Sequence, residues 1–331
     1  MRAVVCPEYG PPEVLRIEER PSPVPGAGQV RVRVRAAAVN FPDVLLVGGR
    51  YQIRVPPPFV PGSEYSGVVV EVGDAVDDLT IGDLVTFTGL VGAFAEEVVA
   101  DVTKLTAIPT GVDPRVAAAF GVAHRTAFHT LRSVARVCAG DELIVLGAGG
   151  GVGLATVQLA VALGASVTAV ASSAEKLAVA ASYGATHLVD HRGGNLRDAL
   201  RDALPDGAHA VIDPVGGVLA EPALRALRRG GRFVTVGYAS GVIPAIPLNL
   251  VLVKGIHILG FQFQDIALDE YTRNEHELAD LLVSGRVRPH IGATFPLDKV
   301  TDALRHVGEG RAIGKVLLDI TSDTEDHPWN D

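Results

Sequence analysis

The run Leu143-Ile-Val-Leu-Gly-Ala-Gly-Gly-Gly-Val-Gly153 has the residue types and spacing that point most directly to chemistry. Apolar residues suited to a buried strand lead into glycines, and an apolar, helix-like segment follows them. A turn that passes within van der Waals distance of a pyrophosphate cannot carry Cβ atoms. The helix start behind it offers free N–H groups and the positive end of a dipole. The spacing is Ala148-x-Gly150-x-x-Gly153, with Ala148 in place of the first glycine of the dinucleotide fingerprint. Ala148, Gly150, Gly151, Val152 and Gly153 are the expected cofactor contacts. A glycine-rich turn of some other α/β protein is the plainer reading, and the strand, helix and second strand around this one argue against it.

The dinucleotide can be narrowed further. About 20 residues past such a loop, an NAD enzyme places an acid on the ribose 2′-hydroxyl. Here the second strand ends in Ala171-Ser-Ser-Ala-Glu-Lys176, with Ser172 where the acid would sit and Ser173 beside it. A hydroxyl leaves room for a 2′-phosphate and Lys176 can neutralise it, which favours NADP(H). Ser172-x-x-Glu175 also reads as a capping box that starts a helix, and the two roles are compatible.

These residues need a scaffold, and the patterning supplies one. From Ala123 the chain alternates strands and helices. Strands are expected at 143–146, 166–170, 187–190, 210–213 and 232–237, and helices at 152–163, 174–183 and 221–227. That is the pattern of a doubly wound parallel sheet. Before it, short β-rich runs such as Val30-Arg-Val-Arg-Val34 and Gly67-Val-Val-Val-Glu-Val72 are divided by Gly and Pro, as in a barrel-like β domain. After Gln262 come a helix at 269–284 and a strand at 314–318, too little for a third domain. The expected organisation is an α/β chain. A β-barrel domain of residues 1–122 and 263–331 is split around a dinucleotide-binding domain of residues 123–262.

Composition narrows the class. With 331 residues, two domains are well supported. The formal charge of −9 argues against a broad nucleic-acid or anionic-membrane surface. Cys6 and Cys138 are the only two cysteines, too few for a disulfide framework or a four-cysteine zinc lobe. No apolar run reaches the ~20 residues that span a bilayer, and no leader is visible. The expectation is a cytoplasmic protein without a metal, ending in an acidic tail from Thr321 to which no function is given.

Several ordered motifs then carry a family resemblance over Met1 to Ile320. They are Ala37-Ala-Val-Asn-Phe-Pro-Asp43, Pro61-Gly-Ser-Glu-Tyr-Ser-Gly67, Gly147 to Gly153, Asp213-Pro-Val-Gly-Gly217, Gly237-Tyr-Ala-Ser-Gly241 and Ile243-Pro-Ala-Ile-Pro247. With them the chain resembles the zinc-independent quinone oxidoreductases (the zeta-crystallin-like group) of the medium-chain dehydrogenase/reductase superfamily. The resemblance implies a GroES-like β domain and a Rossmann domain, with substrate and nicotinamide in the cleft between them. In zinc-using relatives a Cys stands in the place of Asn40, and a Gly-His-Glu in the place of Gly62-Ser63-Glu64. The thiolate and the imidazole are both gone. Without a Lewis acid to polarise an alcohol, reduction of an electrophilic quinone or enone is favoured.

The resemblance also implies site residues. Asn40, Asp43 and Tyr51 are expected on the substrate side, Asn40 donating to a substrate carbonyl and Tyr51 acting as a proton donor if a neighbour stabilises its phenolate. Turn-capping by Asn40 and Asp43 and loop anchoring by Tyr51 are the plainer alternatives. On the cofactor side, Thr126, Gly237, Tyr238 and Ala239 are expected near the nicotinamide and Gly216 near a ribose. His191 is expected by the adenosine phosphate or simply at the surface of a strand end, and Lys315 is expected to reach the pyrophosphate or to be a surface lysine before an edge strand. Arg125 departs from the family pattern and either binds an anion or pairs with a carboxylate of the fold. The leading reading is NADPH-dependent reduction of a quinone or enone by a homodimer. An enoyl-thioester reductase, with Arg50 and Arg54 toward the thioester's arm, is an alternative. So is an NADPH-binding structural or nucleic-acid-binding protein.

Overall fold

The computed structural model describes residues 1–320; the acidic tail discussed above lies outside the described residues. The first part of the chain forms β1 (Arg2–Val5), β2 (Arg16–Glu19), β3 (Gln29–Val39), α1 (Phe41–Val47), β4 (Glu64–Val72), β5 (Leu84–Thr88), β6 (Glu97–Asp101), β7 (Leu105–Ala107) and α2 (Pro114–His129). An alternating stretch follows: β8 (Glu142–Leu146), α3 (Gly151–Ala162), β9 (Ser166–Ala171), α4 (Ala174–Ser182), β10 (His187–Asp190), α5 (Leu196–Ala203) and β11 (Ala208–Asp213). It continues through α6 (Ala220–Arg225), β12 (Leu227–Thr235), α7 (Leu248–Lys254), β13 (His257–Gly260) and α8 (Leu268–Val283). The last elements are β14 (Ile291–Pro296), α9 (Val300–Gly308) and β15 (Lys315–Asp319).

Two compact units result, residues 1–122 with 291–331 and residues 123–290. In the first, a seven-stranded sheet runs β14-β15-β3-β4-β5-β7, with β6 also on β3. Its pairs are antiparallel except β14 with β15. Strand β3 shows why. Val30, Val32 and Val34 are buried, while Arg31 between them pairs at the surface with Glu71 at 2.8 Å and Glu97 at 3.3 Å. Each buried valine contributes roughly 1.5–3 kcal/mol over an exposed one. Past Val34 the alternation stops and Ala36 to Val39 are all buried. Ala37 and Val39 join the main core, whereas Ala36 and Ala38 face Ala118 and Ala119 of α2. Small side chains let that helix lie against the sheet.

The second unit is a six-stranded parallel sheet in the order β10-β9-β8-β11-β12-β13. Numbered from β8 this is 3-2-1-4-5-6, the doubly wound order whose reversal between β8 and β11 opens a ligand crevice at the carboxyl strand ends. Helix α3 is buried from Gly153 to Ala160 because its sequence is apolar apart from Thr156 and Gln158, whose polar groups bond the Val152 carbonyl and the Arg288 N–H.

One boundary differs from the sequence expectation. The return to the first unit begins at Ile291, not at residue 263. The helix expected at 269–284 does form, as α8, but it belongs to the second unit. Leu278 and Leu281 are buried, Asn274 Nδ2 donates to Ser133 Oγ at 3.0 Å, and Arg132 pairs with Glu277 at 2.7 Å. An amphipathic pattern announces a buried face without saying which core will receive it.

Candidate active site

In the first unit, Asn40 follows the buried end of β3 and is the N-cap of α1, with Asp43 three residues on closing a capping box. The Asn40 backbone N–H donates to Asp43 Oδ2 at 2.7 Å, and the Asp43 N–H returns to the Asn40 carbonyl at 3.0 Å. The Asn40 side chain reaches the strand beside it. Its Nδ2 donates to Glu64 Oε1 at 2.9 Å and to Ser63 Oγ at 3.1 Å, and lies 3.4 Å from the Ala38 carbonyl. Its Oδ1 accepts from Lys315 Nζ, which also donates to Glu64 Oε1 at 2.7 Å. The other Glu64 oxygen accepts the Val122 N–H at 2.8 Å. Asn40 is 7% exposed, Glu64 1%, Lys315 3% and Asp43 0%.

This geometry changes three expectations. Both amide hydrogens of Asn40 face protein acceptors, so none remains for a substrate carbonyl. Lys315 is neither a surface residue nor before an edge strand, since β15 lies between β14 and β3. Its ammonium is held by Glu64 and Asn40, where a pyrophosphate role had been expected. Tyr51 lies half-buried in the loop after α1, and burial followed by the charge of Asp43 pushes its phenol above the ordinary value. The neighbour needed to favour phenolate instead disfavours it. Asp43 is the group tuned toward neutrality. Burial raises its carboxyl to about 7, against the opposing pull of the Asn40 N–H, the Ser63 hydroxyl and the Lys315 charge, and with Glu64 adding to the rise.

In the second unit the expected cofactor residues gather at the carboxyl ends of the strands. Gly147 has φ +62° and a Cβ there would meet Val215 at 2.6 Å, so the loops after β8 and β11 touch. A Cβ on Gly153 would stand 2.1 Å from the Gly147 carbonyl oxygen, which fixes the approach of α3 to β8. Gly150 is different: at φ −87° it is the N-cap of α3, and its Cβ would meet only the Gly147 oxygen at 3.5 Å. The fold itself leaves room for a side chain at Gly150. A Gly149 Cβ would meet Lys176 Cβ at 2.6 Å, so the lysine stem lies across the glycine turn. Ala148 is buried in that turn, its N–H donating to Val170, and Gly151 and Val152 open α3.

The other loops close around this one. Gly216, at φ +68°, packs against Tyr238, and Gly217 N–H donates to the Val242 carbonyl at 2.9 Å. Gly237 and Ala239 are tied by backbone bonds to Asp213 and Pro214. Asp213 itself holds the turn, its Oδ1 accepting the Val215 and Gly216 N–H groups at 2.8 Å each. Thr126 lies on α2, half-buried and outside this set of loop contacts.

At the end of β9, Ser173 rather than Ser172 caps α4, its Oγ accepting the Lys176 N–H at 3.3 Å. The expected box was one residue early. His191 follows β10, its N–H bonded to the Ala171 carbonyl at 3.1 Å. Burial and then the charge of Arg192 lower both Lys176 and His191. Arg192 therefore belongs to the same positive group, and sequence reasoning missed it. Its only signal was its place one residue after the expected His191. Arg125 resolves to its structural alternative. It pairs with Glu275 at 2.8 Å, bonds the Tyr271 hydroxyl, and has its guanidinium carbon 5.7 Å from the Tyr271 ring centroid. Glu275 also binds His129 Nε2 at 2.8 Å. Although burial raises the Glu275 carboxyl, His129 and Arg125 hold it below its usual value.

Comparison with known proteins agrees with this two-unit description. Residues 26–110 match the alcohol dehydrogenase GroES-like domain, and residues 151–282 match the zinc-binding dehydrogenase family. Mouse quinone oxidoreductase-like protein 2 is 37% identical over 326 residues, covering 96% of this chain and 92% of that protein. Mouse quinone oxidoreductase is 32% identical over 325 residues, covering 96% and 97%. The crystal structure of Escherichia coli quinone oxidoreductase complexed with NADPH superposes with a TM-score of 0.88 at 26% identity, covering 97% of this chain and 100% of that one. The chain belongs to the quinone oxidoreductase group of the medium-chain dehydrogenase/reductase superfamily.

Zinc, named in the description of one matching family, does not fit the residues around Asn40. The donors there are an amide, a hydroxyl and two carboxyl groups; Glu64 already holds an ammonium 2.7 Å away, and Asp43 is taken up by the Asn40 N–H and pushed by burial toward its neutral form. Zinc prefers thiolate and imidazole, and a neighbouring ammonium repels a second cation. A dinucleotide does fit the second unit: Gly150 stands where the fold has room for a Cβ, at the amino end of the 12-residue α3.

Proposed function

We propose that this protein is an NADPH-dependent oxidoreductase that reduces a quinone or α,β-unsaturated carbonyl acceptor without zinc. NADPH supplies the hydride. The acceptor gains that hydride and one proton, and NADP⁺ is released. The single observation that carries the cofactor choice is the end of β9. Ser172 and Ser173 stand there in place of an acid, and Lys176 lies across the glycine turn beside Arg192 and His191. A ribose 2′-phosphate would be attracted to that group, while an acid there would repel it. The amino end of α3 would hold the pyrophosphate. Among the three residues expected on the substrate side, Asp43 is the one whose proton is held near neutral pH, as proton delivery at physiological pH requires. The E. coli relative complexed with NADPH supports the same reading.

Initial rates with NADPH and NADH against quinones, enones and enoyl thioesters test it. NADPH is expected to be preferred, and Lys176→Ala with Arg192→Ala to erase that preference. A preference for NADH in the unmodified protein would refute the cofactor assignment. Turnover of enoyl thioesters alone would move the protein to the alternative reductase, and no turnover of any acceptor would leave a binding protein.

A homodimer formed through the second unit is part of this proposal. Strand β13 is an edge with one open ladder, and Val242, Ile243, Leu248, Leu252 and Val253 nearby in sequence are exposed, Leu252 at 83%. Such an edge and apolar surface suit a second copy of the same chain. A solution mass near twice 34.5 kDa is expected, and a 34.5 kDa species at micromolar concentration would oppose the dimer. Cytoplasmic residence also belongs to this reading. No described helix is long and apolar enough to cross a membrane, and both cysteines are free thiols. A particulate pool on fractionation would oppose it.

A further inference from the structure

Lys315 opens β15, yet its ammonium is among the least accessible charges of the first unit. It meets one carboxylate oxygen of Glu64 at 2.7 Å and the amide oxygen of Asn40. Five segments converge on this pair: the β3–α1 junction through Asn40, β4 through Glu64, β5 through Thr88, α2 through the Val122 N–H, and β15 itself. At Gly121 a Cβ would stand 2.2 Å from Thr88 Oγ1 and 3.0 Å from Glu64 Oε2, so the absence of a side chain there lets α2 close over the carboxylate.

A buried Lys–Glu pair is a poor source of stability by itself, because desolvating two charges offsets most of their attraction. Two apolar side chains would fill the same space at no such cost. What the pair adds is direction. The side-chain amide of Asn40 could sit in either of two orientations, with oxygen and nitrogen exchanged. An ammonium on one side and a carboxylate on the other select a single one, with Oδ1 toward Lys315 and Nδ2 toward Glu64 and Ser63. That orientation fixes the N-cap of α1, whose backbone N–H holds the Asp43 carboxylate at 2.7 Å.

We propose that Lys315 is a positioning residue, an internal cation that orients Asn40 and Glu64 and through them the Asp43 carboxyl, and that it does not bind the cofactor. The catalytic part of this inference rests on the proposed acceptor reduction; the cation site itself does not. Its oxygen ligands on Asn40 and Glu64 define a cavity for one ammonium, so truncation of Lys315 should create a binding site for a small alkylammonium ion.

The test uses the full chain with Lys315→Ala, Lys315→Arg and the double variant Lys315→Met/Glu64→Gln. Lys315→Ala is expected to melt lower and to lose kcat on the order of tenfold to a hundredfold, with the KM for NADPH nearly unchanged. Ethylammonium chloride should raise both its melting temperature and its kcat, while sodium chloride at equal ionic strength should not. Lys315→Arg should fall between Ala and the unmodified protein, because its larger head keeps the charge but displaces it. The double variant should regain the melting temperature but not kcat, and the pH profile of kcat should move. A loss confined to the KM for NADPH would place Lys315 on the cofactor and overturn the proposal. Full kcat in a folded double variant would reduce the residue to a structural role and do the same. Should the unmodified protein reduce no acceptor, the proposed function fails. The internal-cation site then stands or falls on whether ethylammonium selectively raises the melting temperature of Lys315→Ala.

Discussion

Gly153→Ala is expected to destabilise the second unit by about 1–3 kcal/mol and to weaken NADPH binding about tenfold or more. A Cβ at this position would lie 2.1 Å from the Gly147 carbonyl oxygen and 2.7 Å from its carbonyl carbon. Both are backbone atoms of the turn and cannot rotate aside, so α3 must withdraw from β8 or the turn must deform. Either movement displaces the N–H groups proposed to face the pyrophosphate. Gly150→Ala supplies the contrast. Its Cβ would meet nothing closer than the Gly147 oxygen at 3.5 Å, so stability should change by no more than about 1 kcal/mol, the cost of an N-cap exchange. NADPH affinity should nonetheless fall, because the space lost is that proposed for the cofactor. Thermal unfolding and a fluorescence titration with NADPH read the two effects separately. Undiminished affinity in Gly150→Ala would show that the turn is not the phosphate cradle.

The second large effect concerns pH. In the unfolded chain Asp43 titrates at its ordinary 3.8, whereas burial holds it at about 7 in the native protein. Between those values the folded state binds a proton that the unfolded chain has released, so acid favours folding at this site. The contribution is fully present below 3.8 and is lost as the pH rises through 7. Its slope is about 1.4 kcal/mol per pH unit. Asp43→Asn keeps an acceptor for the Asn40 N–H and removes the titration. Unfolding free energies measured from pH 5 to 7 should therefore fall more steeply with pH in the unmodified protein than in the variant, by about that slope. Parallel curves would mean that Asp43 is ionised throughout and holds no proton for the acceptor.

The two effects divide according to how far apart their causes lie in the chain. The glycine turn is local: strand, turn and helix start are contiguous between Leu143 and Ala162, so their residue types alone announced the tight strand–turn–helix geometry that the proposed function uses. The same locality made five of the six parallel strands, β8 to β12, and helices α3, α4 and α6 legible to within about five residues, whereas α5, α7 and the edge strand β13 went unread. The Ser172 box missed by one position because Ser173 competes for the same cap, and a single residue of register in a loop leaves no periodic signal.

What the sequence determined by itself was the two-unit α/β architecture, the family, the glycine-rich turn between β8 and α3, and the absence of cysteine and histidine at Asn40 and Ser63. What only the tertiary structure decided was the company those residues keep. Lys315 lies 275 residues from Asn40 and 251 from Glu64, and nothing in its neighbourhood of Ile313, Gly314 and Val316 says that its charge is buried. Likewise, Arg125 meets Glu275, and residues 263–290 join the second unit, through pairings made only when α8 folds against α2. Sequence patterns report what each segment can bury or cap. The partner of a buried charge is set by which strands become neighbours, and that follows from the packing of the whole unit.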